Sequence, residues 1–308
     1  MQSKFEKFNE LLPELKIETA QNLSNRDLVN FAQTSKYHLA LFKPVIDVRK
    51  LLHHVTRGEH DAVKAMLKKD MSLFFKRGVV TDCSGREFEN ISAFEYALWA
   101  LDKHMWTAML ACIPQNEEGR KVFARLIAQY NKVNTDGVTY KLNGKIITEQ
   151  HFDFKNTLIK EMQKHEDLIN APEVKNSDVI NIQWREGVGG AQNLLPMHVV
   201  YEYCSDEPFY PVPKFTSQPK SSKQFYNWIT DKDENWFSVG SKLAVDFAIY
   251  KGTGGRCVAW RNHSGTLDLA AMAALYKVRT NDFLDLKSQL ELLSKVVYDI
   301  KRPSCLIV

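Results

Sequence analysis

The 308-residue chain has no uninterrupted apolar run of the roughly 18 residues that a membrane-spanning helix needs. It has no long block of basic residues either, and 41 Lys and Arg stand against 37 Asp and Glu for a net charge of +4. The first absence excludes helical insertion into a bilayer, and the second makes nucleic acid a poor partner. Cysteine is sparse: five residues, Cys83, Cys112, Cys204, Cys257 and Cys305, lie far apart with no CxxC pair. That spacing argues against a zinc knuckle and a disulfide scaffold, and fits a reducing compartment. The amino end, MQSKFEKFNELLPELK, spreads charges through its length and lacks the apolar stretch of a signal peptide. Apolar residues nevertheless reach 44% and charged ones 25%, so the chain is neither disordered nor low in complexity. Its length supports a core shared by two or three compact units.

Signatures of catalysis are also missing. Gly187, Gly189 and Gly190 follow Trp184-Arg185, and Gly252, Gly254 and Gly255 precede Arg256. Neither set has the strand, spacing and Lys-Ser/Thr partner of a phosphate loop or a dinucleotide fingerprint. Cys204 and His198 form a thiol-base pair only if a turn brings them together, and no third residue is placed to orient the base. His53, His54 and His60 cluster near Gly58 without an HExxH motif or an acidic partner set. No catalytic residue, metal ligand or cofactor site is therefore expected, and His198 is read as making a hydrogen bond at a turn within its own repeat.

Helical patterning begins at the amino end. Pro13 and Glu14 suit a first helical turn. Leu12, Leu15, Ile17 and Leu23 supply apolar positions before Ser24, which caps a second helix with Asp27 three residues on. Leu28, Phe31 and Ala32 continue at helical spacing, followed by Tyr37, Leu39, Leu41 and Phe42 until Pro44 interrupts. The run LLPELKIETAQNLSNRDLVNFAQTSK resembles an F-box: Leu12-Pro13-Glu14-Leu15 match its opening, Leu23 its middle leucine, Asp27-Leu28 its second helix and Ser35-Lys36 its close. The resemblance implies docking on the Skp1 adaptor of a cullin ubiquitin ligase through Leu12, Pro13, Leu15 and Leu28. The sequence departs from the pattern by lacking a tryptophan after Ser35-Lys36.

Residues 48–67 read as a helix, a glycine turn at Gly58 and a second helix, and this pair resembles an ankyrin repeat. A turn-rich insertion at 76–90 precedes a second, degenerate pair at 91–110, and Leu195-Pro196-Met197-His198 resembles the Pro-Leu-His stretch of a repeat. Residues 134–144, around Asp136-Gly137 and Asn143-Gly144, alternate in the manner of a small hairpin. Beyond Trp184 the chain is rich in aromatics, including Trp184, Tyr203, Phe209, Phe225, Tyr226, Trp228, Trp236 and Trp260, with a proline-pinned loop at 206–222. Aromatics in such a region fill a core or anchor a target. Residues 266–299 are strongly helical. The chain ends Cys305-Leu306-Ile307-Val308, the pattern that protein prenyltransferases modify, with Lys301 and Arg302 upstream and Pro303 ending the helix.

The combination resembles F-box and ankyrin-like effectors that intracellular bacterial pathogens deliver into host cells. The expected architecture is mainly α: a tail at 1–9, an F-box-like unit at 10–45, ankyrin-like pairs at 46–115, a helical region with a hairpin at 116–180, an aromatic-rich helical region at 181–300 and a tail at 301–308. The expected function is an adaptor that brings a host protein to a host Skp1-cullin ubiquitin ligase. A host prenyltransferase would lipidate Cys305 and place the assembly on a host membrane. Two alternatives stand beside it: a host-directed transferase or hydrolase in the carboxyl half, with a polar pocket around Arg185, His198, Arg256 or His263, and a helical scaffold without ligase engagement, in which the Leu12–Leu28 surface is buried against the body.

Overall fold

The structure is a computed structural model and describes residues 7–172 and 175–295. Three helices open it: Pro13–Gln21 (α1), Asn25–Ala32 (α2) and Lys36–Thr56 (α3). Each start has a local cause. Pro13 sits in the first turn of α1, Ser24 accepts the Asp27 N–H at the start of α2, and Ser35 accepts the His38 N–H at the start of α3. The three close around a small core of Ala20, Leu28, Ala32 and Phe42, with Phe8, Leu23, Phe31 and Val45 packed against it. Arg49 of α3 fastens the α1–α2 turn, donating to the carbonyls of Gln21 at 2.6 Å and Leu23 at 2.7 Å.

The expected interruption at Pro44 does not occur: α3 runs through it to Thr56. Proline removes one hydrogen bond, here the one to the Ala40 carbonyl, and strains the turn before it. Burial of Phe42 on one side and Val48, Leu51, Leu52 and Val55 on the other offsets that loss. One helix thus belongs to both the small core and the main one, and crosses the boundary expected at residue 45.

After Gly58, whose φ of +66° makes the tight turn, His60–Lys69 (α4) returns along α3. Ala93–Trp99 (α5) and Lys103–Leu110 (α6) form a second pair, with α5 packed on α3 and α6 on α4. The insertion between the pairs, read as turns, is a hairpin of Arg77–Thr81 (β1) and Glu87–Ser92 (β2). After Glu117–Asp136 (α7) come Val138–Leu142 (β3) and Lys145–Glu149 (β4), joined by Asn143-Gly144 with φ of +49° and +78°. That is the hairpin expected around Asn143-Gly144. It continues the first one, giving an antiparallel sheet in the order β1-β2-β3-β4.

Lys160–Asn170 (α8), Ser177–Ile182 (α9), Gly189–Gln192 (α10) and Met197–Tyr203 (α11) follow. The aromatic half, expected to be helical, holds a second four-stranded sheet of Gln224–Asn227 (β5), Lys232–Asn235 (β6), Ala248–Tyr250 (β7) and Val258–Trp260 (β8) in the order β6-β5-β8-β7. Its strands are three or four residues long, too short for the alternation that marks a strand in a sequence. Thr266–Lys295 (α12) packs along α7, with Tyr130 stacked on Phe283 at 4.7 Å. Glu166 of α8 caps its start, accepting from the Gly265 N–H at 2.8 Å and from the Thr266 hydroxyl. The protein is predominantly α-helical, with one continuous core from Val48 to Leu290 and a separate one under α1–α3. Among the described residues no helix is long and apolar enough to cross a membrane.

Candidate protein-interaction surface

The first helix presents an apolar edge to solvent. Leu12 is 65% exposed and Leu15 45%, and Pro13 between them is exposed too. Lys16 and Ala20, one turn apart on the adjoining face, turn inward. The Lys16 ammonium lies over the Tyr37 ring at 5.1 Å and the Phe8 ring at 5.8 Å, so its stem packs while its charge rests on aromatic faces. This seat fixes the rotation of α1 and leaves the two leucines outside. Leu28 differs from the expectation. It is buried with Ala32, four residues on, because both face the small core. Its neighbour Val29, which the motif does not single out, is exposed, as are Tyr37 and Leu39 of α3.

His198 and Cys204 are each held by other partners. His198 is buried, and its Nε2–H donates to the Ala100 carbonyl at 2.7 Å. That bond reaches the α5–α6 turn and is not internal to the His198 segment. Burial and the nearby Arg279 hold the imidazole neutral, lowering its pKa to about 4 even though Asp102 pulls the other way. Cys204 faces Cys257, Sγ to Sγ at 3.6 Å, and burial pushes its thiol far above the ordinary range. Gly189 lets α10 approach β7, since a methyl group there would meet the Phe247 carbonyl at 2.9 Å. His54 pairs with Glu59, and His60 with Gln218 at 3.1 Å. Among the described residues no three His, Cys, Asp or Glu side chains are grouped to hold a metal.

Arg185, His198, Arg256 and His263 do not converge on one pocket. Arg185 lines an open 490 Å³ depression with Asp178, Asp246 and Arg261. Arg256 pairs with Asp233, and His263 stacks on Tyr250. A 660 Å³ groove along the first sheet is lined by Glu87, Glu89, Lys132, Asp136 and Lys141 among others, with no cysteine, histidine or serine in its wall.

The most perturbed groups form a sealed cluster. The Arg279 guanidinium, fully buried, donates to the Phe215 carbonyl at 2.8 Å and to Glu202 at 3.1 Å, and lies 2.9 Å from His104. Burial raises Glu202 to about 7 against the pull of Arg279. The Lys251 ammonium, lowered to about 8 by burial, is enclosed by the Ser205 hydroxyl at 2.7 Å and the carbonyls of Glu202 and Ser205. These contacts brace α11, β7 and α12, with the Arg279 Nε–H left without a hydrogen-bond partner among the described residues. Their charged spacing gives no sequence signal, since the partners lie tens of residues apart.

Most aromatics of the carboxyl half are core: Trp184, Tyr203, Phe209, Phe215, Phe225 and Trp236 are buried. Trp228 and Trp260 are exposed side by side on the second sheet, with ring centroids 5.7 Å apart. Cys305 lies outside the described residues.

Comparison with known proteins places this arrangement in a family. The CBUA0006 C-terminal domain matches residues 157–290, a stretch that includes the second sheet, the sealed cluster apart from His104, and most of α12. The uncharacterized protein CBUA0006 of Coxiella burnetii (strain RSA 493 / Nine Mile phase I) is 36% identical over 259 residues, covering 77% of this chain and 73% of that protein. No solved structure matches. On that identity and coverage, the chain belongs to the CBUA0006 family.

Proposed function

We propose that the chain is a non-catalytic adaptor delivered into a host cell, whose first three helices bind Skp1 of a host cullin ubiquitin ligase while the rest of the fold recruits a host protein. One observation carries the reading: the leucines that the F-box resemblance assigns to the contact, Leu12 and Leu15, stand exposed on a helix that completes its own small core. Fully exposing a leucine instead of burying it forgoes about 1.5–3 kcal/mol. A surface that keeps two of them, with Pro13 between and Val29, Tyr37 and Leu39 also exposed, has the character of helix-mediated recognition. The scaffold alternative needs this edge buried against the body, and the exposure of Leu12 and Leu15 speaks against it. Leu28 then acts from within, holding α2 against α1 and α3. The stacked helix pairs α3–α4 and α5–α6 fill the place of the ankyrin-like body in this reading. Prenylation of Cys305 would add membrane attachment, reversible for a single chain with two nearby basic residues.

Capture on immobilised purified Skp1 tests it. The full chain is expected to bind, and Leu12→Asp and Leu15→Asp to abolish binding with unchanged thermal midpoints. No binding by the parent chain, or binding indifferent to both substitutions, overturns the assignment. Incubation with a protein prenyltransferase and a prenyl diphosphate is expected to add one prenyl mass to the chain and none to Cys305→Ser.

A further inference from the structure

The outer face of the second sheet carries a continuous row of rings. Phe225, Asn227, Ile249 and Ala259 are buried on the inner face, and Tyr226, Val258 and Trp260 stand on the other with half-buried Tyr250, where Ala248 opposite Trp260 is covered and Tyr250 also touches the core. Tyr226 meets Trp228 at 4.8 Å, Trp228 meets Trp260 at 5.7 Å, Trp260 meets His263 at 6.1 Å and His263 stacks on Tyr250 at 3.7 Å. The fold buries its other four tryptophans, Trp99, Trp106, Trp184 and Trp236, yet leaves Trp228 55% and Trp260 37% exposed. Two adjacent exposed indoles on a sheet face mark a contact surface.

Charge decides what the surface fits. At one end of the row the Arg256 guanidinium lies 4.4 Å over the Tyr226 ring and pairs with Asp233, so a cation between a ring face and a carboxylate already sits there. Asp231, which accepts the Tyr226 hydroxyl, has no cationic partner among the described residues. Lys232 pairs with inward-facing Asn227 and so lies on the opposite side of the sheet, and Arg261 shares its depression with Asp178 and Asp246. The row therefore lacks the basic groove that a nucleic-acid backbone needs. We propose that it is the target-binding face and that its occupant is an extended peptide segment rich in arginine or lysine, with cationic side chains on Trp228 and Trp260 and a charge pair to Asp231. The proposal rests on the adaptor reading only for the purpose of the capture, since the face is separate from α1–α3.

Fluorescence titration of the full chain with a short alternating arginine–glycine peptide tests it, with the serine–glycine counterpart and oligothymidylate as comparison ligands. The net charge of +4 opposes general binding of a cationic peptide, so saturation must come from a local site. Saturable quenching by the arginine peptide alone is expected. Trp228→Ala and Trp260→Ala should each weaken it about tenfold, and Trp228→Phe should retain part of it. Asp231→Asn should weaken it and flatten its salt dependence. Leu12→Asp with Leu15→Asp should leave it unchanged, which separates this face from Skp1 capture. No saturation, preference for oligothymidylate or the serine peptide, or indifference to both tryptophan substitutions overturns the proposal.

Discussion

Leu28 and Val29 are neighbours in the chain and opposites in environment. Leu28 fills the small core beneath α1–α3, and Val29 faces water. Leu28→Ala is therefore expected to destabilise that unit by about 2–4 kcal/mol, the range for a buried leucine whose surroundings relax only partly. Leu15→Ala should change stability by less than about 0.5 kcal/mol. Chemical denaturation followed by circular dichroism separates the two. His198 sets a pH dependence. Its folded-state pKa of about 4 lies below the unfolded value, so the unfolded chain binds the extra proton between about pH 6.5 and 4. Stability from this residue is complete above that window and is lost as pH falls through it, on the order of 3 kcal/mol by the acid end. His198→Gln should lose correspondingly less stability between pH 7 and 4 than the parent chain. His104, also lowered to about 4 by burial and Arg279, contributes in the same direction, and because His198 helps to hold it down the difference between the two proteins reports the pair.

Among the elements, α3 joins what the composition divides. Pro44 is exposed within it, and Pro44→Ala restores a donor to the Ala40 carbonyl at a helical position. The variant is expected to be more stable by about 1–3 kcal/mol, read as a rise in denaturation midpoint. The hairpin of β3 and β4 was legible because Asn143-Gly144 supplies the two left-handed residues its turn requires. The hairpin of β1 and β2 was not, because half-buried β1 has no alternation, and Asp82, Ser84 and Gly85 read simply as turn residues. The helix start at Ser24 was legible from capping chemistry alone, whereas the cap at Ser35 was not singled out. Nothing local announced that the two hairpins would join through Glu87 and Lys141, a pairing across more than fifty residues.

At the scale of the molecule the described residues form two cores of unequal size, and the smaller depends on four buried side chains and the clasp of Arg49. Hydrogen exchange should release the α1 and α2 amides well before those of α5 and α7. The larger core is cross-braced by Arg279 of α12. Arg279→Met should cost about 3–5 kcal/mol, because it removes the cation that hydrogen-bonds the buried Glu202 carboxyl and leaves only the Lys251 charge near it. Glu202 is already raised to about 7, so its folded form holds a proton that the unfolded chain releases, and the deficit of the variant should grow as pH rises from 6 to 8. The sequence alone determined the helical character, the capped start of α2, the Asn143-Gly144 hairpin and the identity of the leucines at the first helix, since each depends on residues within a turn or two of one another. Which leucines face water, which aromatics form a core and which a surface, and whether His198 and Cys204 meet were decided by tertiary structure. Those outcomes depend on the rotation of each helix against its neighbours and on partners far along the chain, and no short window of sequence contains them.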